Sequence, residues 1–330
     1  MKAKSIVSMD RNTSPIVPLS EEQIIKATKN TLINLYPDKE LQRFKRLYAT
    51  RNNFDPELIE LANGSDEWLQ KFIFTFGEKG VMSLNPDFVM YQVYTEQVAV
   101  PFYQVDCKPD FSFDFNEISK QISEKEPSLF LISNPHNPTG KLFKEEEIEQ
   151  LADAMAKVGG YLVIDEAYVE FSSDYQRPSG EHVIIVRTLS KIYGLAGLRI
   201  GVAVAEGETF EKITRFNHPY PVNSLSLNLA NELFSNETQL EELIHYQLES
   251  KRLLEKSLQK VRHLIHVNPS STNYLFTYGE KAVSLADFLL KKGFQARQYR
   301  EPLLANAVRY SIIPLENYEE LEQAIRDWSE

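Results

Sequence analysis

Thr188-Leu189-Ser190-Lys191-Ile192-Tyr193-Gly194-Leu195-Ala196-Gly197-Leu198-Arg199-Ile200-Gly201 comes just after the β-branched run Val183-Ile184-Ile185-Val186. Such a run reads as a buried parallel strand. Lys191 then falls just past the carboxyl end of that strand, where open α/β sheets bind their ligands. Two hydroxyls, three glycines and an arginine surround it. A lysine in such company can shed its proton and attack a carbonyl, because desolvation and neighbouring cations destabilise the ammonium form.

Working outward, short apolar runs recur before and after this stretch. Val81–Leu84, Ala99–Phe102, Leu129–Ile132, Tyr161–Ile164, Val183–Val186 and Ile200–Val204 are strand candidates, with helices such as Glu145–Lys157 between several of them. That alternation predicts βαβ units and a mostly parallel sheet. On the amino-terminal side, Ser20 with Gln23 predicts a capped helix that runs to Asn34 before Pro37, with Ile24, Ile25, Leu32 and Leu35 as its apolar stripe. Asp38–Thr50 and Pro56–Ala62 read as further helices. Beyond Leu240–Val261, a long helical pattern, the texture changes to Asn273–Thr277, Leu285–Lys292, Phe294–Gln298, Ala307–Ile312 and a last helix from Asn317. The fold expected is α/β: a three-layer large domain over 40–245 and a smaller α+β domain from 246–330, joined by 1–39 as an N-terminal arm.

Composition narrows the partners. With 36 basic and 47 acidic residues the net charge is −11, and no basic block is present. Nucleic-acid binding is therefore not expected, and small-molecule partners are. The single Cys107 and six scattered histidines offer neither an internal disulfide nor zinc-ligand spacing, so no metal is expected. No signal-peptide core and no long apolar run is present, which predicts a cytoplasmic protein that does not enter the membrane.

Three further motifs sit at strand ends or helix starts. Ser133-Asn134-Pro135-His136-Asn137-Pro138-Thr139-Gly140 follows one strand, and its Asn-Pro steps hold the Asn137 amide in a tight turn. Asp165-Glu166-Ala167-Tyr168 ends the next, and a carboxylate buried there needs a cation or donors. Thr188, Ser190 and Arg199, with the backbone amides near Gly64-Ser65-Asp66 at a helix start, form an anion cup. No Walker pattern accompanies them, which argues against a nucleotide triphosphate. A reactive lysine, an anion cup, a buried carboxylate, a phenol and an amide together match pyridoxal 5′-phosphate. Its aldehyde suits Lys191, its phosphate the cup, its ring nitrogen Asp165, and its phenolic oxygen Asn137 and Tyr168.

These segments, in this order with Tyr36-Pro37, Pro86-Asp87-Phe88-Val89-Met90-Tyr91 and Arg309, resemble the class I/II (fold type I) aminotransferases, most closely the histidinol-phosphate aminotransferase group. The resemblance spans most of the chain. It implies that Lys191 bonds the cofactor, Asp165 partners the ring nitrogen and Phe88 stacks on the ring. It implies that Ser65, Thr188, Ser190 and Arg199 surround the phosphate, with Tyr36 reaching it from the other subunit of a homodimer. Arg309 matches the arginine that grips the substrate carboxylate. The family's Asn-x-Asn-Pro arm is altered here to Arg11-Asn12-Thr13-Ser14-Pro15, which leaves Asn12 as a substrate-binding candidate. Arg297, Arg300 and Arg11 are candidate cations for a substrate phosphate. The expected reaction moves an amino group between a donor, histidinol phosphate, and 2-oxoglutarate. An aromatic amino acid aminotransferase or a phosphothreonine-type decarboxylase are the alternatives on the same scaffold.

Overall fold

The computed structural model describes residues 6–172 and 175–329. Residues 1–5 of the expected arm, 173–174 of the expected large domain and residue 330 lie outside it. The strands, in chain order, are β1 (Val7–Met9), β2 (Ile59–Ala62), β3 (Val81–Asn85), β4 (Phe102–Asp106), β5 (Leu129–Ser133), β6 (Tyr161–Asp165), β7 (Val183–Thr188), β8 (Gly201–Val204), β9 (His266–Val267), β10 (Tyr274–Tyr278), β11 (Phe294–Gln298) and β12 (Ala307–Ser311).

A seven-stranded sheet runs in the order β2-β8-β7-β6-β5-β3-β4. Strand β8 pairs antiparallel with both β2 and β7, and the other neighbours pair parallel. Side chains alternate across the sheet, as a period of two requires. Leu162, Ile164, Ile185 and Val202 enter one core layer, while Val163, Ile184, Val186 and Ala203 enter the other. Helix Ser65–Phe76 covers the second layer with Trp68, Leu69, Phe72 and Ile73. Helices on both faces of one sheet make the expected three layers.

The second sheet has five strands, β1-β11-β12-β10-β9. Its core of Leu275, Phe294, Val308 and Tyr310 takes in Met9 from the amino-terminal strand and Leu254 and Leu258 from the long helix Glu237–Gln259. The same helix places Leu240 and Leu243 in the first core, so one rod serves both bodies.

Several expectations need correction. The capped helix is Glu21–Lys29, and its Ser20–Gln23 box is present, but it stops well before Pro37. Leu32 and Leu35 lie beyond it, all four expected stripe residues, Ile24 included, are exposed, and the helix meets the core through Ala27 instead. Pro56–Ala62 is one short 3-10 turn followed by β2, because Ile59 and Leu61 have a sheet partner in β8. Strand β4 begins at Phe102, where the expected Ala99–Phe102 run ends, and Ala99 takes a left-handed φ of 54° that breaks extension. Helix Ser224–Phe234 was not expected from the residue pattern; it packs against helices Glu21–Lys29 and Asp38–Asn52.

Candidate active site

The parallel strands deliver their carboxyl ends to one edge of the large sheet. Ala62, Asn85, Ser133, Asp165 and Thr188 close β2, β3, β5, β6 and β7 there. Strand β8 runs the other way, so its beginning lies at the same edge, with Gly201 opposite both Ala62 and Thr188. The sheet order therefore ranges Gly64, Arg199, Thr188, Asp165, Asn137 and Phe88 side by side although the chain separates them widely.

A cavity of about 380 Å³ opens over this edge against the small sheet. Phe88, Asn137, Tyr168, Lys191, Arg297, Arg309 and Asn12 all line it. The Lys191 ammonium stands 5.5 Å from the centre of the Tyr168 ring. Arg309 donates from Nη1 to Asn137 Oδ1 at 2.8 Å, and from Nη2 to the Asp10 carbonyl at 3.3 Å. With its oxygen engaged, Asn137 presents its amide nitrogen as the free donor. Its backbone N–H is held by Ser133 Oγ at 2.8 Å, and Ser133 in turn bonds the buried Asp87. Arg297 lies directly across from Arg309 in the β11–β12 register, so two guanidinium groups share one face. Arg11 is exposed and also lines the cavity, whereas Arg300 is exposed and lies outside its wall.

Asp165 sits behind this wall, 5% exposed. Tyr91 donates to its Oδ2 at 3.2 Å and the Ala167 N–H to its Oδ1 at 3.2 Å. Burial pushes its pKa up to about 7; the Tyr91 bond and the Lys191 charge oppose that, and the Asp66 charge reinforces it. A buried carboxylate held by two neutral donors has room for a cationic partner, which a protonated ring nitrogen would supply.

The anion cup lies beside Lys191. Thr188 Oγ1 donates to Ser190 Oγ at 2.9 Å and accepts the Ser190 N–H at 3.1 Å. Gly64, with φ of 89°, caps the helix that begins at Ser65, and so turns that helix's unpaired N–H groups toward the cup. A Cβ on Gly64 would come within 2.3 Å of the Arg199 guanidinium, and one on Gly201 within 2.3 Å of the Gly64 and Ser65 backbone. Both glycines thus keep a cradle open for an anion. The Asp66 carboxylate faces Arg199 Nη2 at 3.0 Å and accepts from Tyr94 at 2.9 Å, so it steadies the arginine.

Not every expected residue lines the cavity: the cup residues Gly64, Ser65, Asp66, Thr188, Ser190 and Arg199 are outside its lining, as are Arg300 and Tyr36. Tyr36 is 74% exposed and stacks on Tyr220 at 4.5 Å, away from the cavity of its own chain. Asn12 is in the cavity wall, but its Nδ2 already donates to the Tyr168 hydroxyl at 2.9 Å. Other residues had no assigned role. Tyr91 and Asp87 belong to a motif recognised only as a whole, and the spacing of Tyr91 three residues after Phe88 was the available signal. Below the floor, Arg187 donates to Glu166 at 2.8 Å and to Asn52 at 2.8 Å, and Glu166 also meets Arg177 at 3.1 Å. This buried network ties the ends of β6 and β7, which carry Asp165 and Thr188. Nothing in the linear spacing of those residues announces it.

A sheet edge that sets a lysine and two arginines in one cavity, with a buried carboxylate behind its wall and a glycine-kept cradle beside the lysine, is the arrangement of a pyridoxal-phosphate-dependent transaminase. Comparison with known proteins agrees: the family model for class I and II aminotransferases matches residues 8–326, and the chain belongs to that family. The histidinol-phosphate aminotransferase of Clostridium novyi (strain NT) is 31% identical over 315 residues, covering 93% of this chain and 87% of that protein. That of Thermoanaerobacter sp. (strain X514) is 33% identical over 299 residues, covering 88% and 84%. Among solved structures, the Sinorhizobium meliloti histidinol-phosphate aminotransferase in complex with pyridoxal-5′-phosphate superposes with a TM-score of 0.85 at 22% identity, covering 98% of this chain and 92% of that one. Pyridoxal 5′-phosphate is the cofactor, and the cup, Asp165 and Lys191 fit it.

Proposed function

We propose that this enzyme transfers an amino group between histidinol phosphate and 2-oxoglutarate, working as a cytoplasmic homodimer. The observation that carries the substrate is the pairing of Arg297 with Arg309 across β11 and β12. Glutamate presents an α-carboxylate, whereas histidinol phosphate has a phosphate ester in that direction, one carbon and one oxygen further out. We assign the first to Arg309 and the second to Arg309 together with Arg297, both of which line the cavity. The names of the relatives above support the same substrate.

Pyridoxal phosphate, when bound, supplies a conjugated ring that accepts the electron pair left on Cα as its proton departs. The rest falls to this chain. Lys191 would hold the cofactor at its aldehyde carbon, and its amine would carry the proton that leaves Cα. Asp165 holds the proton on the ring nitrogen, and Phe88 covers one ring face. Asn137 and Tyr168 meet the phenolic oxygen. Thr188, Ser190, Arg199 and the first-turn amides at Ser65 and Asp66, kept clear by Gly64, hold the phosphate. Arg309 orients the substrate anion through a bidentate fork that a lysine lacks.

For the assembly, Ile25, Leu32, Ile33, Leu35 and Tyr36 form an exposed apolar run that a second copy would cover. That copy would receive Tyr36 at its cup. Among the described residues no helix is long and apolar enough to cross a membrane. We also propose the division into 40–245 and 1–39 with 246–330. Strand β1 in the small sheet supports it, while helix Glu21–Lys29 rests on the large core and makes the arm a bridge.

Steady-state amino transfer with a donor panel tests the substrate. Histidinol phosphate should exceed phenylalanine in kcat/KM by about tenfold or more, equivalent to ~1.4 kcal/mol. Arg297→Ala should collapse that ratio while glutamate turnover persists. Equal or better turnover of phenylalanine would replace this reading with an aromatic aminotransferase, and carbon dioxide release from phosphothreonine would replace it with a decarboxylase.

A further inference from the structure

Asn12 joins the arm, the small sheet and the cofactor edge through hydrogen bonds. Its φ of 54° is left-handed, a region that asparagine and aspartate enter more readily than other side chains. Ser311 on β12 holds it there twice: Ser311 Oγ accepts the Asn12 N–H at 3.0 Å and donates to Asn12 Oδ1 at 2.6 Å. Asn273 donates to the Asn12 carbonyl at 3.0 Å. With Oδ1 turned to the Ser311 hydroxyl, the amide nitrogen faces the other way and Nδ2 donates to the Tyr168 oxygen at 2.9 Å.

A phenol has one hydrogen to give. Because Asn12 donates to Tyr168, that hydrogen is free to point elsewhere, and Tyr168 lines the cavity. Among the groups around the phenol, the Tyr274 hydroxyl donates to the His136 carbonyl at 3.0 Å, and Tyr299, whose hydroxyl is unpartnered, lines the same cavity, so a hydrogen turned toward either oxygen still points into that space. Lys191 stands over one face of the phenol at 5.5 Å, and the Tyr274 ring meets it edge-on at 5.2 Å. Arg309 lies 4.9 Å from the Tyr274 ring. The two cations are donors only. Asp165, three residues before, has its oxygens engaged by Tyr91 and the Ala167 N–H.

We propose that Asn12 is a positioning residue: by donating to Tyr168 it turns that hydroxyl's hydrogen into the cavity, toward the phenolic oxygen of pyridoxal phosphate. This rests on the reading of Tyr168 as that oxygen's partner. The arm thereby reports its docked position to the cofactor, since Ser311, two residues along β12 from Arg309, shares that arginine's face of the strand. The altered arm motif keeps the asparagine on which this depends.

Aspartate at position 12 keeps the shape, the backbone preference and the Ser311 bond but replaces the donor with an acceptor. Tyr168 would then turn its hydrogen to the new carboxylate. The quantity to follow is the pH at which the visible absorbance of the bound cofactor titrates in the holoenzyme. A bond donated to the phenolic oxygen stabilises its charge, so losing it moves that midpoint to higher pH. Asn12→Asp and Tyr168→Phe should each raise the midpoint by about one pH unit, and the double variant should move no further than Tyr168→Phe alone. An unshifted Tyr168→Phe overturns the underlying reading of Tyr168. A shifted Tyr168→Phe with an unshifted Asn12→Asp overturns the Asn12 proposal. So does an Asn12→Asp shift that persists in the Tyr168→Phe background, because the carboxylate then acts by charge alone. If Asn12→Asp does not fold, Ser311→Ala, which frees the Asn12 amide to rotate, should raise the midpoint in the same direction; no shift overturns the proposal.

Discussion

Asp165 carries, in one side chain, a conflict between stability and function. Burial keeps its proton on to about pH 7 in the folded protein, whereas an unfolded chain releases that proton near pH ~4. Between those values the folded state binds the extra proton, so the cofactor-free protein loses stability as pH rises from about 4 to about 7. Above that range the loss is complete, at about 1.4 kcal/mol for each pH unit separating the two values. Asp165→Asn should therefore raise the melting temperature of the cofactor-free protein at pH 8 by a few degrees, and leave it little changed near pH 4. On the proposed pairing of Asp165 with the ring nitrogen, the same variant should lose about 10²-fold or more in turnover. Thermal melts at the two pH values, with steady-state rates, check both halves. A drop in stability at pH 8 would mean that contacts other than a cofactor cation offset the burial of Asp165.

Among the elements, the antiparallel strand β8 matters most for the site. Its reversal brings Arg199 and Gly201 to the edge where the parallel strands end, and Gly201 lets the Gly64–Ser65 turn lie against it. A methyl group there meets backbone at 2.3 Å, which no rotamer change relieves. Gly201→Ala should cost about 1–3 kcal/mol as overpacking and push the helix start away from the cup. The expected result is a lower melting temperature together with cofactor affinity weakened at least ~10-fold, measured by fluorescence titration. Gly197 has nothing within 4 Å of an added Cβ, so Gly197→Ala serves as the control and should bind cofactor normally.

The proposed dimer makes a claim about the assembled molecule through Tyr36. Stacked on Tyr220 at the surface, it cannot serve the cavity of its own chain in this arrangement. If it completes the partner's cup, Tyr36→Ala and Lys191→Ala chains, each inactive alone, should regain activity when mixed. Each heterodimer then holds one site with both residues intact, so recovery should approach about one quarter of the wild-type rate under random exchange. No recovery with subunit exchange verified by mass labelling would assign Tyr36 to its own chain or to structure alone.

The alternation of strands and helices and the three-layer class were legible in the residue order, and the residues proposed for the site were named from it. Those features are local: a β-branched run such as Val183–Val186, a capping box at Ser20–Gln23 and a lysine just past a strand end are written in adjacent residues. Reading strands was also enough to place Asp165, Asn137 and Lys191 at strand ends, and the fold brings those ends to one edge. Other features emerged only on packing. The reversed direction of β8, the pairing of Arg297 with Arg309 and the bond from Asn12 to Tyr168 link residues 12 to 156 positions apart. Packing also left Ile24 and Ile25 outward on their helix and Leu32 and Leu35 exposed beyond its end, since an apolar spacing does not state what covers it or where the helix stops. Register and burial are set by which segments meet, and that is a property of the packed molecule.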